Sequence, residues 1–196
     1  MKSLVVVSAL VFSLSVLVSP VGAEEKFDFV GVKKCKVCHK KPASGEQFGI
    51  WQKGPHAKAF ETLAGEKAMA EAAKLGIKNP QEAPECLKCH VTAFPVMGDL
   101  ANQKITMEEG VSCESCHGAG SAYYKKKTMV ALTAGEIEPG PVGLTVIDEA
   151  TCKRCHTPEG NSFYKEFDFA TAVKKIAHPI PEGGSGASGD EDDGDE

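Results

Sequence analysis

Cysteine occurs in this chain only in pairs three residues apart, and a histidine follows every pair: Cys35-Lys-Val-Cys38-His39, Cys86-Leu-Lys-Cys89-His90, Cys113-Glu-Ser-Cys116-His117 and Cys152-Lys-Arg-Cys155-His156. The four pentapeptides use all eight cysteines. C-x-x-C-H is the attachment signature of c-type haem. Two thiols three apart reach neighbouring edges of one macrocycle, and the next residue then points at the iron. A disulfide framework explains an even cysteine count, but not four equal spacings with a His after each. Zinc ribbons give that His no place, and a thioredoxin-like motif needs one C-x-x-C in a βαβ context. The expectation is four covalently attached haem c groups, with His39, His90, His117 and His156 as proximal ligands. Four macrocycles would then replace most of an ordinary core, which couples folding to the cofactor.

The ends differ from the middle. Met1-Lys2, an apolar run from Leu4 to Val18, and Ser19-Pro20-Val21-Gly22-Ala23 have the form of a cleaved export signal, residues 1–23. About 15 apolar residues fall short of the roughly 20 that span a bilayer, so no integral membrane segment is expected after cleavage. A periplasmic or otherwise exported location follows, because c-type haem is attached outside the bacterial cytoplasm. Residues 182–196, EGGSGASGDEDDGDE, cannot bury apolar surface and read as a disordered acidic tail. Residues 24–181 are of a size for one domain. The chain has 27 acids and 22 bases; without the tail it is near neutral, and no nucleic-acid partner is expected.

Motif starts at 35, 86, 113 and 152 follow no regular repeat. Pro55 to Leu75, rich in Ala, Glu and Lys, predicts one helix stopped by Gly76. A second is predicted over Ser121 to Leu132 with Gly135 ending it. A third begins at Asp168 as N-cap, carries Phe169, Val173, Ile176 and Ala177 at near-helical spacing, and halts at Pro179. Stretches 91–112 and 136–150 read as loops. The fold class is mostly α: a small multihaem cytochrome c fold of helices and loops wrapped around four haems.

The sixth iron ligand decides between carrier and catalyst. Of six histidines, only His56 and His178 stand outside the motifs, so at most two haems are bis-His within one chain. Both are expected to ligate iron. Met129, Met97 and Met107 are candidates for the other two haems, since Met is also an axial ligand; Met69 reads as helix packing. Lys125, Lys126 and Lys127 read as a solvated basic face. Trp51, Phe60, Phe94, Phe163 and Phe167 read as packing against haem.

The stretches GVKKCKVCHK (31–40), WQKGPHAKAFETL (51–63), ECLKCHVTAF (85–94), GVSCESCHGAG (110–120) and CKRCHTPEG (152–160) resemble the tetrahaem cytochrome c-554 family, in the family's order. The resemblance implies a mostly helical fold with closely stacked haem pairs. It implies that His56 ligates the third haem opposite His117, and that His178 ligates the fourth opposite His156. Two departures stand out. The family's prototype has a His shortly after the third motif that ligates the first haem, whereas GSAYYKKKTMV (120–130) has none; Met129 is the candidate to replace it, opposite His39. The second haem is five-coordinate in the prototype, and here too no spare His exists for that of His90.

The reading is a monomeric electron-transfer protein working between redox partner proteins. The alternative is a haem enzyme reducing nitric oxide or a related small nitrogen compound at a five-coordinate haem. That chemistry needs a proton donor beside an open iron, and Tyr123, Tyr124 and the lysines stand at no convincing position for it. A filament in which neighbours share ligands is disfavoured, because both spare histidines are already assigned.

Overall fold

The computed structural model describes residues 27–178, so the segments expected as export signal and acidic tail lie outside it. Among the described residues there are α-helices, short 3-10 turns and loops, and no strand. The helices are α1 (Val32–His39), α2 (Gln47–Lys53), α3 (Ala59–Thr62), α4 (Glu66–Lys74), α5 (Pro84–His90), α6 (Cys113–His117), α7 (Lys126–Thr133), α8 (Glu149–Lys153) and α9 (Phe169–Ile176).

All are short, for identifiable reasons. The single helix predicted over 55–75 is broken into a 3-10 turn at His56–Lys58, then α3, then α4. The Thr62 hydroxyl donates back to the Ala59 carbonyl (2.7 Å), and Gly65 is extended (φ −76°, ψ 157°) as it caps α4. A hydroxyl competing for the backbone, followed by glycine, ends a helix that propensity alone would continue. Gly76 stops α4 as expected, with φ +71°. The helix predicted from Ser121 begins only at Lys126, because the Tyr123 and Tyr124 amides close a turn on the Gly120 carbonyl. Gly135 ends it at φ +70°. The stretches expected as loops hold 3-10 turns at Phe94–Asn102, Met107–Glu109 and Gly140–Val142. α9 starts where predicted: the Asp168 carboxylate accepts the Thr171 amide (2.8 Å), filling an orphan donor of the first turn.

The apolar core is thin. Leu63, Leu87 and Val91 are buried together, with Phe60, Ala68, Phe94, Met97 and Met107 packed around them. Met97 and Met107 thus serve as core filler. The helices bearing the first, third and fourth motifs bury no apolar residue, so they are not seated on that core.

Candidate haem sites

Each motif is built into about one helical turn. α1, α5 and α6 all end on the histidine of their motif, while the fourth motif leaves α8 after Lys153 and turns through Cys155 to His156. On a helix, residues three and four apart share a face. Both sulfurs and the imidazole therefore project to one side. All eight thiols are unpaired; Cys38 is exposed and the others are half-buried.

Second partners orient two of the motif rings. The Nδ1 of His90 lies 2.8 Å from the Ala59 carbonyl, which can only accept. The Nδ1 of His39 lies 3.3 Å from Oε1 of Gln47. The amide of Gln47 is in turn fixed, because its Nε2 donates to the Ser44 carbonyl. Nδ1 then carries the proton in both rings, and the Nε2 lone pair is left for a metal.

The two spare histidines join the last two motifs. The His56 and His156 ring centroids are 6.1 Å apart, and those of His117 and His178 are 6.0 Å apart. Two imidazoles sharing one metal, each bonded at about 2.0 Å, have centroids roughly 6 Å apart. Burial, then the neighbouring rings of His178 and His39, pulls His117 down to about 4. Burial, then His156, lowers His56. Both are thus neutral near pH 7, the form that binds metal. The expected partners are exchanged: His56 faces His156 rather than His117, and His178 faces His117 rather than His156. The exchange has a backbone cause. α9 ends at Ile176 and Ala177 is extended (φ −59°, ψ 137°), which carries His178 across to the third motif. The ring of Phe167 stacks on His156 at 4.7 Å and occupies its other side.

The cysteines give the spatial order of the sites. The thiol of Cys113 lies beside that of Cys35 and is the first cause of the strong upward shift of Cys35. Burial, then Cys89, pushes Cys155 up to about 12. Burial, then Cys152, raises Cys116. First motif thus lies beside third and fourth beside second, and the Arg154 guanidinium, donating to the Ser115 carbonyl, joins fourth to third. Met129 is half-buried on α7, and Met69 is exposed.

Sequence reasoning missed two buried carboxylates that tie the first motif to the third. Glu114, inside the third motif and 4% exposed, accepts the amides of Val30 (3.0 Å), Gly31 (2.8 Å) and Gly120 (2.7 Å). Glu109 accepts the amide of Val32 at 3.0 Å. Together they take the Gly31 and Val32 amides, two of the orphan donors at the start of α1, which has no side-chain cap of its own. The partners lie about eighty residues apart in sequence, and no local pattern signals them. The capping box of α8, in which Asp148 and Thr151 exchange bonds, was legible as Asp-x-x-Thr and was overlooked.

The residues fit haem. Among the described residues no group of three or more His, Cys, Asp or Glu is placed to hold an ion, whereas two sulfurs beside one imidazole suit a porphyrin that brings its own nitrogen donors.

Comparison with known proteins agrees. The family described as cytochrome c554 and c-prime matches residues 34–118, a span that holds the first three motifs. No solved structure matches the chain. The chain is 30% identical over 167 residues to cytochrome c-554 of Nitrosomonas europaea, an alignment covering 80% of this chain and 69% of that protein. The chain belongs to the cytochrome c-554 family.

Proposed function

We propose that this chain is an exported electron carrier holding four covalent haem c groups and working between redox proteins. Family membership supports a c-type cytochrome with covalently bound haem and a role in electron transfer. The observation that supports the finer reading is the spatial order of the motifs, first–third–fourth–second: Cys35 lies beside Cys113, Arg154 donates to the Ser115 carbonyl, and Cys155 lies beside Cys89. Neighbouring sites in such a series would give an electron a path through the protein. The cysteine pairs would hold the haems, and His39, His90, His117 and His156 would be proximal ligands. His56 and His178 would complete the fourth and third sites, and Met129 is proposed for the first. Haem supplies one-electron redox chemistry, with the axial ligand as a main control on potential.

The protein's own part is to orient and to exclude. The Ala59 carbonyl and Gln47 fix the rings of His90 and His39. Burial keeps His56 and His117 neutral, and Phe167 shields His156. No helix among the described residues is long and apolar enough to cross a membrane. The test is EPR of the ferric protein, with optical spectra of the reduced form before and after carbon monoxide. The reading expects at least three low-spin irons, and any carbon monoxide shift confined to the site of His90. His56→Ala and His178→Ala should each convert one low-spin iron to high-spin. Loss of no low-spin signal in either variant would remove these residues from the ligand set. Turnover of nitric oxide at rates exceeding electron exchange would favour the enzyme instead.

A further inference from the structure

The four motifs carry very different charge. Over 17 residues placed alike around each, 29–45 holds five lysines and no acid, a net +5. The windows 80–96 (Glu82, Glu85, Lys88) and 146–162 (Asp148, Glu149, Glu159, Lys153, Arg154) each come to −1, and 107–123 (Glu108, Glu109, Glu114) to −3. This local excess disappears in the overall charge of −5.

Its placement is specific. Lys34, Lys36, Lys40 and Lys41 are exposed on α1 and just past its end. The same stretch holds Cys38, the exposed motif cysteine, and Val37, which is 61% exposed. The ion pairs among the described residues are Lys74–Glu71 and Lys153–Glu149, so none of the four is neutralised in that way. Aromatic faces steady two of them instead: Lys34 lies 5.9 Å from the ring centre of Tyr124, and Lys36 4.9 Å from that of Phe48. The fifth lysine, Lys33, differs, since it lines a cleft with Glu108 and Glu109. The nearest acids in sequence, Asp28 and Glu46, stand outside the group.

The first motif is also an end of the spatial series. Cys35 turns inward to Cys113, while Cys38 faces solvent. We propose that this exposed end of the molecule, α1 and the residues just past it, with Cys38 at the surface and Lys34, Lys36, Lys40 and Lys41 around the helix, is the docking site for an acidic redox protein. The inference rests on the electron-carrier reading and adds to it which end meets a partner and of what charge. A cluster of exposed cations without carboxylate partners suits a transient interface, in which charge steers the encounter and little area is buried.

The test uses the full haem-loaded protein and two reductants in stopped-flow and flash experiments: reduced flavodoxin, an acidic probe, and the uncharged lumiflavin radical. Reduction by flavodoxin should slow about tenfold or more between low and moderate salt, as steered association does. A variant with Lys34, Lys36, Lys40 and Lys41 all changed to Gln should lose about tenfold at low salt. Changing the exposed Lys67, Lys78, Lys165 and Lys174 to Gln should leave the rate within about twofold. Lumiflavin should reduce all three proteins alike. Equal loss in both lysine variants would overturn the proposal, since net charge and not this face would then act. A wild-type rate that rises when the chain ends after Pro181, with the α1-lysine variant unmoved by the same truncation, would give the face to the chain's own acidic segment 182–196. Failure of lumiflavin to reduce the wild-type protein would instead strike the electron-carrier reading, and the docking site would fall with it.

Discussion

Glu114 offers the most demanding prediction about how the sites are held together. Its carboxylate is 4% exposed and accepts three amides: Val30 and Gly120 on one oxygen, Gly31 on the other. Two of these precede α1, and the third follows the third motif. Glu114→Ala leaves three buried donors without partners, each worth about 1–3 kcal/mol. Water entering the vacated space recovers part, so the net loss is about 3–5 kcal/mol. At roughly 2–4 °C per kcal/mol for a domain of this size, melting should fall by about 10 °C. Glu114→Gln keeps an oxygen for Val30 and Gly120 but turns an NH2 group toward the Gly31 amide, and should lose about half as much. Glu85→Ala is the control: this glutamate is exposed in the first turn of α5 and should cost less than about 1 kcal/mol. The assay is thermal unfolding of the haem-loaded protein, followed by circular dichroism. A drop of under about 2 °C in Glu114→Ala, the size of a surface change, would refute the clamp.

Two further predictions concern the spare histidines. Gly110 has φ +62°, and a Cβ there would stand 2.7 Å from the His56 carbonyl; Gly110→Ala should destabilise the protein by about 1–3 kcal/mol and weaken the low-spin EPR signal assigned to His56. Asp168 titrates low, first because Thr171 hydrogen-bonds its carboxylate. The stability it gives is therefore present above the ordinary aspartate value and lost as pH falls through the lowered one. Hydrogen exchange should show α9 fraying in acid in the wild type, fraying already at neutral pH in Asp168→Ala, and little acid dependence in Asp168→Asn; a wild type equally protected across that range would count against the cap.

What the sequence made legible was local chemistry. The Asp168 cap and the stops at Gly76 and Gly135 depend on one residue's side chain or backbone freedom, and each sits where it was expected. The break of the 55–75 helix at Thr62 and Gly65 was not foreseen, because Ala-rich propensity outweighed one hydroxyl and one glycine in a window average. The motifs name the residues proposed to hold haem but not how the sites are arranged. The Cys35–Cys113 approach, the Glu114 clamp and the His56–His156 and His117–His178 rings all join segments far apart in the chain. A spacing rule says nothing about such pairs; only the packing of short helices does.

The central claim is that four macrocycles are covalently attached, one to each motif. Intact-mass measurement of the protein made in a host with c-type haem maturation, together with versions in which one cysteine pair at a time is changed to Ala, tests it most directly. The account predicts the mass of the chain from Glu24 onward plus four haems, falling to three haems for each altered motif. A mass matching fewer than four haems in the wild type, or a motif whose loss removes none, would contradict it.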